Sequence, residues 1–110
     1  MNIENLKTQM RKGMLEYCIL LLLQRKDAYA SEMIERLKAA RLIVMEGTLY
    51  PLLTRMKNAG LLAYRWEEST QGPPRKYYSL TPAGAMFLEQ LRESWEQLSY
   101  TIDALNKTEE

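Results

Sequence analysis

Arg75 and Lys76 are adjacent cations that follow the stiff run Gly72-Pro73-Pro74. Two cations beside a rigid turn suit a phosphate or the minor groove of a duplex. Upstream, Thr48, Tyr50, Thr54 and Arg55 crowd into one short segment. Side chains of these types read base edges in a major groove or bind the sugar–phosphate backbone. Arg55 is the candidate for a guanine contact. Thr48 and Tyr50 are better placed for phosphate or base-edge contact. Other chemistry is poorly supplied. The chain has no histidine and a single cysteine. Ser-His-Asp and Cys-His arrangements, His-rich metal sites and an internal disulfide are thereby excluded. Glu67 and Glu68 are neighbouring carboxylates, but adjacent residues of a strand face opposite ways and cannot easily work as an acid–base pair. An enzyme is not expected, and neither a cofactor nor a metal.

A formal net charge of +1 looks unsuited to binding DNA. The distribution matters more than the sum. Between positions 41 and 80, Arg41, Arg55, Lys57, Arg65, Arg75 and Lys76 face only Glu46, Glu67 and Glu68. Beyond position 80, Glu89, Glu93, Glu96, Asp103, Glu109 and Glu110 outweigh Arg92 and Lys107. A phosphate backbone meets the local potential of the basic half.

These residues need elements to hold them. Residues 5–25 read as a first helix with a stripe of Met14, Leu15, Cys18, Leu21 and Leu22, widened by Ile19, Leu20 and Leu23. The apolar run is too short to span a bilayer, and the polar N-terminus lacks a signal-peptide pattern. Both point to a cytoplasmic protein with no membrane partner. Cys18 is read as a small core residue. Asp27 is placed to cap a second helix over 29–40, with Met33, Ile34 and Leu37 inward. Arg41 to Met45 connect it onward, with Ile43 and Val44 as a possible short strand.

Leu49, Leu52, Leu53 and Met56 follow helical spacing and predict a third helix over 46–58. Pro51 requires that helix to begin near Thr48, or near Glu46 with a distorted first turn. Gly60 falls where a left-handed terminating residue is wanted. Burial of the apolar stripe turns Gly47, Pro51, Thr54 and Asn58 outward, with Tyr50 and Lys57 on one flank and Thr48 and Arg55 on the other. Leu62 to Glu67 alternate as a strand, residues 69–74 are turn material, and Arg75 to Leu80 form the return strand. The hairpin therefore has a long polar tip bearing the two cations. Tyr64, Trp66, Tyr77 and Tyr78 are read as hairpin core and cross-strand pairs.

Thr81 and Pro82 open a last helix. Along it Leu88, Leu91, Trp95, Leu98, Ile102 and Leu105 keep a strict a/d heptad spacing. That stripe predicts a dimerisation helix. Trp95 is wide for such a seam; it either props two helices apart or lines an apolar cleft between subunits. The final residues 106–110 are read as frayed. The expected architecture is mainly α (α+β): a winged helix-turn-helix over 1–80 and a dimerisation helix over 81–110 packed on the N-terminal helix as one unit.

The quoted residues carry a resemblance. Gly47-Thr48-Leu49-Tyr50-Pro51-Leu52-Leu53, Gly60-Leu61-Leu62, Gly72 to Gly84 and Arg11-Lys12-Gly13-Met14-Leu15-Glu16 are together similar to the PadR family of bacterial transcriptional regulators. The resemblance implies a winged-helix homodimer that represses transcription and is released by a small organic effector. Its DNA-contacting positions carry over to Thr48, Tyr50, Arg55, Arg75 and Lys76. The single helix after the wing resembles the compact members of that family. In drug-sensing relatives a tryptophan at the position of Trp95 holds flat aromatic ligands between subunits. Met45 departs from the pattern, which favours a small polar residue before Glu46. The expected partners are double-stranded DNA with an inverted repeat, a second copy of the chain and a planar aromatic ligand. A winged-helix module that binds proteins and never DNA is the alternative reading.

Overall fold

The computed structural model describes residues 1–107. The elements run α1 (Ile3–Arg25), α2 (Ala30–Ala39), α3 (Glu46–Asn58), β1 (Leu62–Ser69), β2 (Gly72–Leu80) and α4 (Pro82–Asn106). The architecture is mainly helical with one two-stranded antiparallel sheet, as the sequence predicts. Ile19, Leu20, Met33, Leu49, Leu53 and Leu88 are fully buried and join α1, α2, α3 and the first part of α4 in one core.

Local chemistry explains most boundaries. The Asn2 side chain accepts from the amides of Glu4 and Asn5 and starts α1. The buried face of α1 is Leu15, Ile19, Leu20, Leu22 and Leu23, with Tyr17 beside them. Met14, Cys18 and Leu21, which the expected stripe placed at its centre, are only half-buried. A run that is apolar all round gives periodicity nothing to choose by.

Asp27 does not cap α2. Tyr29 occupies that position with no side-chain bond, and Asp27 pairs instead with Arg65. No strand forms at Ile43 and Val44: the connection is irregular, with Val44 buried and Ile43 exposed. Both helices of the helix-turn-helix end in the same way. At α3, Leu61 N–H bonds the Met56 carbonyl and Gly60 N–H bonds that of Lys57, while Gly60 takes φ 83°. At α2, Leu42 N–H bonds the Leu37 carbonyl and Arg41 N–H that of Lys38, with Arg41 at φ 72°. Each is the paired closure that satisfies carbonyls left over at a helix end.

α3 begins at Glu46, so Pro51 lies inside it rather than in its first turn. Met45 stands at the N-cap without a side-chain bond, the consequence of the missing small polar residue. The hairpin tip is shorter than expected. Thr70 and Gln71 alone form the turn, and β2 already runs from Gly72. Pairing steps from Glu67↔Arg75 to Ser69↔Gly72. Pro73 and Pro74 therefore oppose the single Glu68 in a bulge, where the ladder needs no donor from them.

Thr81 caps α4 by accepting from Gly84 N–H at 3.0 Å, and its hydroxyl donates to the Gly60 carbonyl at 2.6 Å. One side chain thus ties the end of α3 to the start of α4. The helix runs to Asn106, the first residue of the segment expected to fray, and residues 108–110 of that reading lie outside the described residues. The first part of α4 packs on α1, and Arg92 donates to Gln24 at 3.1 Å.

Candidate nucleic-acid interface

α3 buries Leu49, Leu52, Leu53 and Met56 and presents its opposite face to solvent. Gly47, Pro51, Thr54 and Asn58 are exposed there, as are the flanking Thr48, Tyr50, Arg55 and Lys57. The two flanks have different neighbours. On one, Arg55 approaches Glu16 of α1 at 4.0 Å. Thr48 and Arg55 line an open groove of about 720 Å³ together with Arg11 and Lys12. On the other flank, Lys57 lies 5.6 Å from the ring centre of Tyr64 in β1. The structure thus brings Thr48, Tyr50, Thr54 and Arg55 together on one solvent-facing helix, beside the wing.

The wing has two unlike faces, because adjacent strand residues alternate. Leu62, Tyr64 and Trp66 share one face with Leu80, Tyr78 and Lys76, their cross-strand partners. At the base Leu62 and Tyr78 are buried; Tyr78 packs on Tyr64 with ring centres 5.9 Å apart. Further out Trp66 is 62% exposed, so it is not the core residue the sequence suggests. The Lys76 ammonium sits 4.0 Å from the Tyr64 ring centre.

The other face carries Arg65, Glu67, Arg75 and Tyr77. Arg65 is bound by Asp27 and Glu67. Those hydrogen bonds, Asp27's first, hold its guanidinium protonated beyond the usual arginine range. Arg75 stacks 4.4 Å from the ring centre of Tyr29, which meets Tyr77 edge to face at 5.2 Å. Ala28 exchanges two backbone bonds with Tyr78 and adds a bridge to the outer side of β2. The α1–α2 connection therefore fixes the angle at which the wing leaves the body.

Two expectations change here. Arg75 and Lys76 are not at the tip: they stand opposite Glu67 and Trp66, and they point to opposite faces. Arg65 belongs to an ion-pair cluster rather than to a free basic surface. Arg11 and Lys12 stand far from α3 in the sequence, and tertiary structure places them in the groove beside Thr48 and Arg55.

On α4 the heptad residues leave the core one by one. Leu88 is buried and Leu91 half-buried, while Trp95 is 41% and Leu98 60% exposed. Ile102 and Leu105 are also exposed, as are Ile3, Leu6 and Met10 on the first half of α1. Among the described residues no helix is long and apolar enough to cross a membrane.

A helix-turn-helix followed directly by a basic two-stranded wing defines a winged-helix, DNA-binding class of transcriptional regulator. Residues 19–90 match the sequence pattern of the PadR-like family of transcriptional regulators, and the chain belongs to that family. It is 64% identical to a PadR-like transcription factor from Bacteroides fragilis whose crystal structure superposes with a TM-score of 0.78, covering 92% of this chain and 98% of that one. A PadR-like regulator from Bacillus cereus is 38% identical, with a TM-score of 0.81 and coverage of 92% and 99%. A PadR family regulator from Eggerthella lenta is 30% identical, with a TM-score of 0.85 and coverage of 97% and 94%.

Proposed function

We propose that the protein is a cytoplasmic, homodimeric repressor that binds an inverted-repeat operator and is released by a flat aromatic effector. The observation that carries this reading is the solvent-facing set Thr48, Tyr50, Thr54 and Arg55 on α3, flanked by a cationic wing. α3 enters a major groove and Arg55 reads a guanine edge. Gly47 and Pro51 offer few donors, so backbone contacts and duplex shape supply much of the selectivity. Arg75 and Lys76, on opposite faces of the wing, each neutralise a phosphate.

The dimer follows from α4. Its outer half has an apolar stripe that its own chain leaves uncovered, and α1 starts with another. Their charges lean opposite ways: Lys7, Arg11 and Lys12 outnumber Glu4 near the α1 start, and Glu93, Glu96 and Asp103 outnumber Arg92 along α4. On this reading residues 1–80 bind DNA and 81–110 clamp two copies together. The two α3 helices then meet successive major grooves about 34–36 Å apart. Trp95, half-open on that stripe, is the effector contact.

DNA from upstream of the protein's own coding sequence provides the test. Tight binding of a symmetric site by a dimer is expected. Arg55→Ala should relax the choice of sequence, and loss of Arg75 and Lys76 should flatten the salt slope by about one to two units. Featureless binding even at low salt would favour the protein-interaction alternative. For the effector, planar aromatic compounds are titrated against the parent chain, whose release of DNA is followed, and against Trp66→Phe, in which Trp95 is the fluorescence reporter. Quenching together with release of DNA supports the role; no change in either removes it.

A further inference from the structure

We infer that Trp66 and Tyr64, with Lys76 and Lys57, form a second DNA-gripping surface, one that holds the sugar–phosphate backbone beside the groove read by α3. This inference rests on the DNA-binding reading above and adds to it Trp66 and Tyr64, aromatic residues that neither the recognition helix nor the cationic pair at 75–76 accounts for, together with the lysines they hold.

An exposed tryptophan means little by itself. Trp66 stands out for what surrounds it. In register it faces Lys76, whose ammonium lies 4.0 Å from the centre of the Tyr64 ring and 5.8 Å from that of Trp66. Lys57 reaches the same tyrosine from α3 at 5.6 Å. One aromatic ring thus holds two ammonium groups and links the wing to the recognition helix. The cations are not compensated: among the described residues neither Lys57 nor Lys76 has a carboxylate partner. Glu67, opposite in the pleat, is engaged by Arg65.

This chemistry fits a duplex backbone. The deoxyribose edge is apolar and accepts an indole, and the phosphates on either side accept ammonium groups. Aromatic faces hold the lysines near their working positions, so less side-chain freedom is lost on binding. The surface also continues the Tyr50–Lys57 flank of α3, so one strand can pass from the recognition helix onto the wing. The opposite wing face differs, for Arg65 is ion-paired and Arg75 is stacked on Tyr29.

The test uses the full chain with Trp95→Phe, which leaves Trp66 as the reporter. A fluorescein-labelled duplex from upstream of the coding sequence is titrated and binding is followed by its anisotropy. At saturation, quenching of Trp66 by acrylamide should fall at least two-fold. Trp66→Ala should weaken binding about five- to ten-fold at an unchanged salt slope, the behaviour of an apolar contact. Lys57→Ala and Lys76→Ala should each lower that slope by about one. If anisotropy reports saturation while acrylamide reaches Trp66 as freely as before, this surface is wrong and the DNA-binding reading stands. If anisotropy never changes, even at low salt and with the parent chain, both fall.

Discussion

Gly84 lies directly against Leu61. A Cβ built on Gly84 would come 2.1 Å from the Leu61 carbonyl oxygen, a backbone atom that cannot swing aside. Gly84→Ala must therefore push the start of α4 away from the end of α3. Chemical denaturation should show a loss of about 1–3 kcal/mol. Thr81→Ala should cost about 1–2 kcal/mol by removing the cap at the same junction. A Gly84→Ala protein as stable as the parent would mean that the junction has slack.

Arg41 closes α2 in a left-handed conformation usually left to glycine. Arg41→Gly should raise the unfolding free energy by about 0.5–1 kcal/mol, because relief of the Cβ strain exceeds the added freedom of the unfolded chain. Arg41→Val should lower it by a larger amount. Paired denaturant titrations check the sign of each.

Burial raises the Cys18 thiol above its ordinary value. The folded chain thus holds this proton more tightly than the unfolded one. The contribution is complete below the unfolded value and declines as pH climbs through the alkaline range toward the folded value. Alkylation by iodoacetamide at pH 8 should be several-fold slower in the folded protein than in urea, since the thiolate is the reacting form. Equal rates would place Cys18 in open solvent.

Leu88 and Ile102 belong to one heptad stripe but have opposite surroundings, buried and exposed respectively. Leu88→Glu should unfold the chain. Ile102→Glu should leave its circular dichroism intact and yield monomers in sedimentation velocity. An Ile102→Glu protein that still sediments as a dimer would move the subunit contact away from α4.

Local signals made much of this fold legible. The stripe Leu49, Leu52, Leu53, Met56 marks the body of α3 and Gly60 its end, and Thr81-Pro82 marks the start of α4. These are short-range devices whose partners lie within a few residues. Long-range partners were not legible. Asp27 has the right type for a cap, yet Arg65 takes it from 38 positions away. Pro73 and Pro74 argued for a loop, and only the bulge at Glu68 lets them stand in a strand.

Within the candidate interface, types and spacing identified the α3 side chains because a helix has one solvent-facing side. The wing was harder. Alternation placed Tyr64 and Trp66 on one face but did not tell how far the hairpin projects past the body. Tyr64 is half-covered and Trp66 mostly bare for that reason. The bond from Arg92 to Gln24 and the stacking of Arg75 on Tyr29 each join distant segments and left no mark in the sequence.

The sheet order has a consequence for solubility. Ala28 and β1 flank β2 on its two sides, and among the described residues the outer side of β1 has no backbone partner. A bare strand rim of that kind is a template on which another chain can add. Arg65, Glu67 and Glu68 guard it with charge that must be stripped of water before a second strand can approach. Replacing all three by threonine would keep the strand and remove its guards, so that chains would join rim to rim into insoluble fibres.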